Sequence, residues 1–383
     1  MPRSLRWLRF PVHRSRGRRY PEPAHPYRNE FQRDRDRLVH ARAFRRLENK
    51  TQVFTSGLSD HFRNRLTHTI EVTQIARTVA SALQLDDDLT EALALGHDIG
   101  HPPFAHAGEA ELNRQMRRFG ASFDHNLHAL RIVEAFEQRY ARFPGLNLTF
   151  EVREGIVKHS RDLEPGADAA LEEYLPGLRP PLEAQLIDLA DEIAYNTADL
   201  DDAHSAGLIT MDEIGQSVPE FARLREEIGR QFPAAADRVQ FQEVLRLLID
   251  WLVTGLIEGT FEAAEEAGLS GFEEVRRHPV RVARLARPAV QTGREMKAFL
   301  HRAVYDSPPL VAERQRSSAM IAELFEHYLE HPGRMPPPYS DQVSGQPVHQ
   351  IVCDYIAGMT DGFFERTYTQ IFGSLRVPAL SPD

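Results

Sequence analysis

Three histidines and two carboxylates crowd into the thirteen-residue segment His97-Asp98-Ile99-Gly100-His101-Pro102-Pro103-Phe104-Ala105-His106-Ala107-Gly108-Glu109, around helix-breaking residues. On a helix, neighbouring side chains project about 100° apart. His97 and Asp98 can therefore converge on one ion only where the chain begins to unwind, as Gly100 and Pro102 suggest. Such an ion needs further ligands, which His68 and Asp191 can supply from other helices. Two imidazoles and two carboxylates suit a borderline-to-hard divalent cation, Mn²⁺ or Mg²⁺ first, with Fe²⁺, Co²⁺ and Zn²⁺ also compatible. Each residue alone is weak evidence, since a lone helix histidine is more often structural; the case rests on their combination.

Two further patterns accompany the cluster. His106 and Glu109 lie three apart at a helix start, where a carboxylate can orient an imidazole and raise its basicity for proton transfer. Asp191, Tyr195 and Asp199 fall at i, i+4 and i+8, a stripe along one helix face about 12 Å long at 1.5 Å per residue.

The elements that must position these groups are helices. Apolar residues recur three or four apart almost throughout, with few alternating β-branched runs, so the expected fold class is all-α. The spacing predicts helices over about 30–48, 63–83, 89–97, 108–118, 126–140, 151–159, 181–203, 211–230, 236–258, 287–303, 308–330 and 346–372. The segment 162–181, acidic and rich in Pro and Gly, reads as a surface connection that could also serve as a flap. The chain has 383 residues, 42% of them hydrophobic, enough for a large core. Residues 1–27 carry Arg3, Arg6, Arg9, Arg14, Arg16, Arg18 and Arg19 before Pro21, Pro23 and Pro26, and read as a basic, disordered leader.

The net charge of −10 argues against general nucleic-acid binding. Cys353 is the only cysteine, which excludes an intrachain disulfide and fits a reducing cytoplasm. No stretch approaches the roughly 20 apolar residues of a membrane span, so a soluble, cytoplasmic protein is expected.

The order His68, His97-Asp98, Asp191 resembles the H…HD…D signature of the HD-domain superfamily of metal-dependent phosphohydrolases. Phe44-Arg45-Arg46-Leu47, Lys50-Thr51-Gln52-Val53-Phe54, His97 to Phe104 and Asp191-Glu192-Ile193-Ala194-Tyr195-Asn196 resemble the deoxyguanosinetriphosphate triphosphohydrolase-like family in particular. Asp354 to Asp361 is similar to that family's closing helix, which carries the likeness over nearly the whole chain. The resemblance implies an HD-domain helical bundle over 28–205, with a helical C-terminal region, 206–383, packed on it. It also implies hydrolysis of a deoxynucleoside triphosphate to a deoxynucleoside and inorganic triphosphate.

Under that resemblance the metal ligands are His68, His97, Asp98 and Asp191, and the proton-handling residues are His106, Glu109 and a second phosphate-side histidine, His125. Tyr195 lies under the deoxyribose, with Asp199 and Gln52 on the 3′-hydroxyl. His101 lies at the substrate; Arg65, one turn before His68, is the first expected triphosphate contact, ahead of Lys158 and His159. His101 and His125 could instead be buried structural histidines, and Tyr195 a structural aromatic. The family implies a homo-oligomer, hexameric or dimer-based, and a dNTP as a candidate activator. The alternatives are another HD nucleotide phosphohydrolase, acting on monophosphates or signalling nucleotides, and a non-enzymatic anion-binding regulator. Weak single-stranded nucleic-acid contact through the leader is a lesser option.

Overall fold

The computed structural model describes residues 3–52 and 63–373. Val53 and Phe54 of the Lys50–Phe54 motif lie outside the described residues. Those described fold mostly into helices joined by turns and loops, with isolated β-bridges as the only strand pairing among them. The first half comprises α1 (Glu30–Val39), α2 (Arg42–Arg46), α3 (Arg65–Leu83), α4 (Asp87–Gly96), α5 (Ala105–Arg117), α6 (His125–Arg131), α7 (Phe150–Val157) and α8 (Leu182–Ser205). It continues through α9 (Met211–Ser217), α10 (Pro219–Gln231), α11 (Asp237–Glu266), α12 (Phe272–Arg277) and α13 (Arg287–Leu300). The chain closes with α14 (Pro308–Glu330), α15 (Pro337–Ser340), α16 (Val348–Ala357) and α17 (Asp361–Phe372).

Local signals set the helix starts next to the chemistry. The Asn64 side chain accepts from Thr67 N while Thr67 Oγ1 accepts from Asn64 N, a reciprocal cap that begins α3 at Arg65 and brings His68 into its first turn. Asp86 caps α4 by accepting from Leu89 N, and Asp124 caps α6 by accepting from Leu127 N.

Several expected helices divide. The 211–230 span breaks at Val218 because Pro219 starts a new helix, and 346–372 breaks at Gly358–Thr360, where Thr360 caps α17. The 126–140 span ends as α6 followed by a single π turn, Ile132–Phe136.

Two apolar cores hold the helices. The larger runs through α1, α3, α4, α7, α8, α11 and α13; the smaller joins α5 to α14, α16 and α17 through Leu112, Met116, Ile321, Phe325, Ile351 and Phe364. The His97–Phe104 turn is the passage from one core to the other.

The basic leader is a correction to the sequence reading: residues 3–27 are packed on the fold. Leu5, Leu8 and Phe10 are buried in the larger core. Arg18 is buried among carboxylates, donating from Nε to Glu30 Oε2 at 2.8 Å and pairing with Asp34, while Arg9 pairs with Asp86. Arg3, Arg14 and Arg19 also pair with carboxylates of the fold and Arg16 lies over the Phe150 ring, so the segment is a strap and not a free cationic tail. The 162–181 connection is also docked, with Tyr174 buried in the core.

Candidate active site

The end of α4 delivers His97 and Asp98 where the helix unwinds. Gly100 is required there by close approach: a Cβ at this position would stand 2.0 Å from His125 O and 2.4 Å from Ala129 N. That contact lays α6, and so His125, directly against the turn.

His68 from α3 and Asp191 from α8 meet this turn. His68 Nε2 lies 2.8 Å from Asp191 Oδ1, and His97 Nε2 lies 3.7 Å from Asp98 Oδ1 and 3.9 Å from Asp191 Oδ1. His97 Nδ1 is held on Ala94 O at 2.6 Å, which aims Nε2 into the cluster. That Nε2 is buried without a hydrogen-bond partner. An orphaned imidazole nitrogen amid carboxylates fits a divalent cation, and the donor atoms of His68, His97 and Asp98 all lie within 4.8 Å of one another. The four residues expected as ligands therefore come together.

Electrostatics prepare the same set. Burial pushes the His97 imidazole below its ordinary range, which keeps it neutral as a ligand must be. Burial would raise Asp98, but the Arg65 guanidinium and the neighbouring His101 and His97 hold it well below the usual carboxylate range. Asp191 is likewise held low against burial by its hydrogen bonds with His159 and His68.

His159, at the end of α7, was weighed in the sequence only as a phosphate contact. Its Nδ1 lies 2.7 Å from Asp188 Oδ1 and its Nε2 3.6 Å from Asp191 Oδ2, and with His97 and Asp191 it forms a second potential ligand group. Its signal in the sequence was only a histidine after a short helix.

Arg65 is 2% exposed, and its Nη1 donates to Asp98 Oδ2 at 2.6 Å. Its guanidinium stands behind a carboxylate of the candidate cluster. Lys158 departs from expectation: its ammonium is fully buried and donates to Glu154 Oε1 at 2.7 Å, Leu178 O at 2.8 Å and Leu175 O at 3.0 Å. Three donors with three internal acceptors leave none for a substrate, so Lys158 is a structural anchor for the 162–181 connection.

The residues expected to handle the proton are arranged with His125, not His106, as the hydrogen-bonded partner of Glu109. His106 Nδ1 is 4.0 Å from Glu109 Oε2, beyond hydrogen-bond reach, and its side chain is 68% exposed. Glu109 Oε1 instead accepts from His125 Nδ1 at 2.7 Å and from His125 N at 3.0 Å. Burial opposes the Glu109 charge, but interactions with His106 and His125 hold it far below the ordinary carboxylate range. The His125 ring stacks on buried His101 at 3.9 Å, and His101 Nδ1 lies 2.9 Å from Asp98 Oδ1, which connects the group to the His97–Asp98 cluster.

The α8 stripe is present. Tyr195 stands 6.4 Å from the His106 ring and 6.0 Å from that of Tyr305, while Asp199 is buried and accepts a hydrogen bond from the Tyr305 hydroxyl. Burial first, opposed by that hydrogen bond, pushes Asp199 up to about 7. Tyr305 closes a single π turn, His301–Tyr305, after α13; no sequence motif marked it. Gln52 is buried with Oε1 unpartnered, and with Thr51, Phe104, Ala105, Tyr305 and Leu310 it lines a mostly apolar cavity beside the stripe.

Residues 65–196 match the HD domain, and residues 283–370 match the phosphohydrolase-associated domain. Among curated proteins, the chain is 43% identical over 365 residues to the deoxyguanosinetriphosphate triphosphohydrolase-like protein of Bordetella pertussis, covering 94% of each chain. Proteins of the same name match from Ralstonia nicotianae, 44% identical over 360 residues, and Geobacter metallireducens, 40% over 358; both matches cover 94% of this chain and 92% of the relative. No helix among the described residues is long and apolar enough to cross a membrane. An orphaned histidine facing two carboxylates, on an HD domain joined to its associated domain, agrees with this nearly full-length similarity: the chain belongs to the deoxyguanosinetriphosphate triphosphohydrolase-like family of HD-domain phosphohydrolases.

Proposed function

We propose that the protein hydrolyses deoxynucleoside triphosphates, dGTP or several dNTPs, to deoxynucleoside and inorganic triphosphate. The observation that carries this reading is the convergence on His97 Nε2, an unpartnered buried donor facing Asp98 and Asp191, beside the Glu109–His125 pair. The names of the relatives support the choice of substrate.

His68, His97, Asp98 and Asp191 would hold a divalent ion, which when bound supplies positive charge against the α-phosphate and acidifies water for attack. The remaining work falls to side chains. Arg65 keeps Asp98 ionised. Glu109 holds His125 through Nδ1, which leaves Nε2 to hold or move a proton at the departing 5′-oxygen; His106 stands on the open side of the same group. Tyr195 carries the deoxyribose, and Gln52 with the Tyr305–Asp199 pair lines its far side. Water oxygen bonds to the α-phosphorus, the bond to the 5′-oxygen breaks, and that oxygen leaves with a proton.

The test is chromatographic product analysis with each dNTP and with GTP, in Mn²⁺ or Mg²⁺, beside a His97→Ala control. Deoxynucleoside plus intact triphosphate, lost in the control, is expected. Monophosphate with pyrophosphate, or cleavage of monophosphates only, would assign a different HD phosphohydrolase activity. No turnover, even with mixed dNTPs as activators, would leave an anion-binding protein.

A further inference from the structure

Asp361, the first residue of α17, lies far in sequence from every residue expected at the site, yet it bonds two residues that line the cavity beside the α8 stripe. Its Oδ1 accepts from Phe104 N at 3.1 Å, and its Oδ2 accepts from Thr51 N at 2.8 Å and from the Thr51 hydroxyl. Phe104 ends the histidine-rich turn and Thr51 precedes Gln52. Both line the same cavity, together with Ala105, Ala107, Tyr305 and Leu310.

The backbone at this point is strained. Phe104 and Ala105 have φ of 60° and 52°, the left-handed region that residues with a Cβ rarely adopt, and they do so consecutively. Such a conformation persists only where the surroundings over-determine it. Phe104 is also the N-cap of α5 but offers no side-chain oxygen, so α5 starts without a side-chain cap. The Asp361 carboxylate supplies what the local sequence lacks: an acceptor for the Phe104 amide and a fixed point for the turn. Around it, Lys50 Nζ donates to His101 O and to Ala357 O, Arg46 Nη1 donates to Gly358 O at 2.8 Å, and the Phe104 ring packs edge-on to Phe364 at 5.1 Å. The contacts to Ala357, Gly358 and Phe364 link the first half of the chain to the α16–α17 junction.

We infer that Asp361 is a positioning residue for the reaction: it clamps the left-handed Phe104–Ala105 turn and the Thr51–Gln52 segment to α17, setting the direction of α5 and so the placement of His106 and Glu109. The phosphohydrolase-associated region thereby completes the active site and does more than cover it. The proposal rests on the hydrolase reading for its kinetic test, and has a second readout independent of turnover.

The full-length protein and its Asp361→Asn, Asp361→Ala, Ala105→Gly and Asp361→Ala/Ala105→Gly variants are compared. Readouts are dGTP kinetics in Mn²⁺, Mn²⁺ binding by calorimetry, thermal midpoint, and amide exchange of the 101–106 segment. In Asp361→Ala, kcat/KM is expected to fall about a hundredfold, the scale of a roughly 1 Å misplacement, and exchange across 101–106 to accelerate. Mn²⁺ binding should change less than about twofold, since the clamp holds no ligand. Asn, which keeps one acceptor, should fall less. Glycine at 105 removes the left-handed penalty, so the loss on removing Asp361 should shrink in that background. The clamp is overturned if Asp361→Ala keeps kcat/KM within about twofold and leaves the exchange unchanged, or if the loss instead follows Mn²⁺ release and a lowered midpoint in both the Ala and Asn variants. If the unmodified protein hydrolyses no dNTP, the functional reading fails, whereas the exchange comparison still decides the clamp.

Discussion

Glu109 and His125 form a hydrogen-bonded pair, 2.7 Å apart from Oε1 to Nδ1, across sixteen residues of sequence. A carboxylate that fixes one ring nitrogen selects the tautomer and leaves the other nitrogen for chemistry. His106, on the same helix as Glu109, is the exposed partner at 4.0 Å.

Glu109→Gln removes the charge but keeps the shape of this pair. It is expected to lower kcat at least about a hundredfold, the lower bound for a positioned acid or base, with a thermal midpoint near that of the parent. Steady-state kinetics beside His125→Ala and His106→Ala rank the two imidazoles. A smaller loss for His125→Ala than for His106→Ala would return the proton to the pair expected from sequence.

Divalent cations should stabilise the fold through the His68, His97, Asp98 and Asp191 cluster. Mn²⁺ at a hundredfold excess over its dissociation constant is expected to add about 2.7 kcal/mol, seen as a raised thermal midpoint that chelator reverses. His97→Ala should abolish that rise; a rise of equal size in the variant would place the ion elsewhere.

Glu183 governs a stability change between mild acid and neutrality. Burial first, reinforced by the charge of Asp86, pushes its carboxyl up from about 4.5 to about 7, although Phe10 N and Asp86 N donate to it. Because the folded pKa lies above the unfolded one, the contribution is fully present below about pH 4.5 and is lost as pH rises through about 7. The loss amounts to about 3 kcal/mol at 1.36 kcal/mol per unit. Glu183→Gln cannot ionise and should flatten this dependence, so that denaturant unfolding finds the variant more stable than the parent at pH 8 but not at pH 5. Parallel pH curves would reject the assignment.

The strap should contribute to stability and not to nucleic-acid binding. Arg18→Ala leaves Asp34 and the side of Glu30 without their buried partner, and is expected to cost about 3–5 kcal/mol in chemical denaturation. A change under about 1 kcal/mol would mean that the segment is only loosely held.

Much of the site was legible because its signals are local. The breakers Gly100 and Pro102 beside His97-Asp98, and the stripe Asp191, Tyr195, Asp199, follow from helix geometry and residue chemistry, as do the all-α class and the need for partners His68 and Asp191. At His106 and Glu109 the i, i+3 spacing brings the two groups to 4.0 Å, while the carboxylate's hydrogen bond goes to His125 on the next helix, which local spacing does not show. Lys158 differed for a related reason, since a cationic side chain reads as ligand-ready until its internal acceptors are known, and the leader read as disordered because its charges hide the anchoring Leu5, Leu8 and Phe10. What the tertiary structure alone decided are the non-local choices: His125 on Glu109, Tyr305 on Asp199 and Asp361 on Phe104 and Thr51, separated by up to 310 residues. Spacing along the chain carries no information about those distances; the packing of α6 on Gly100, the π turn before α14 and the start of α17 set them.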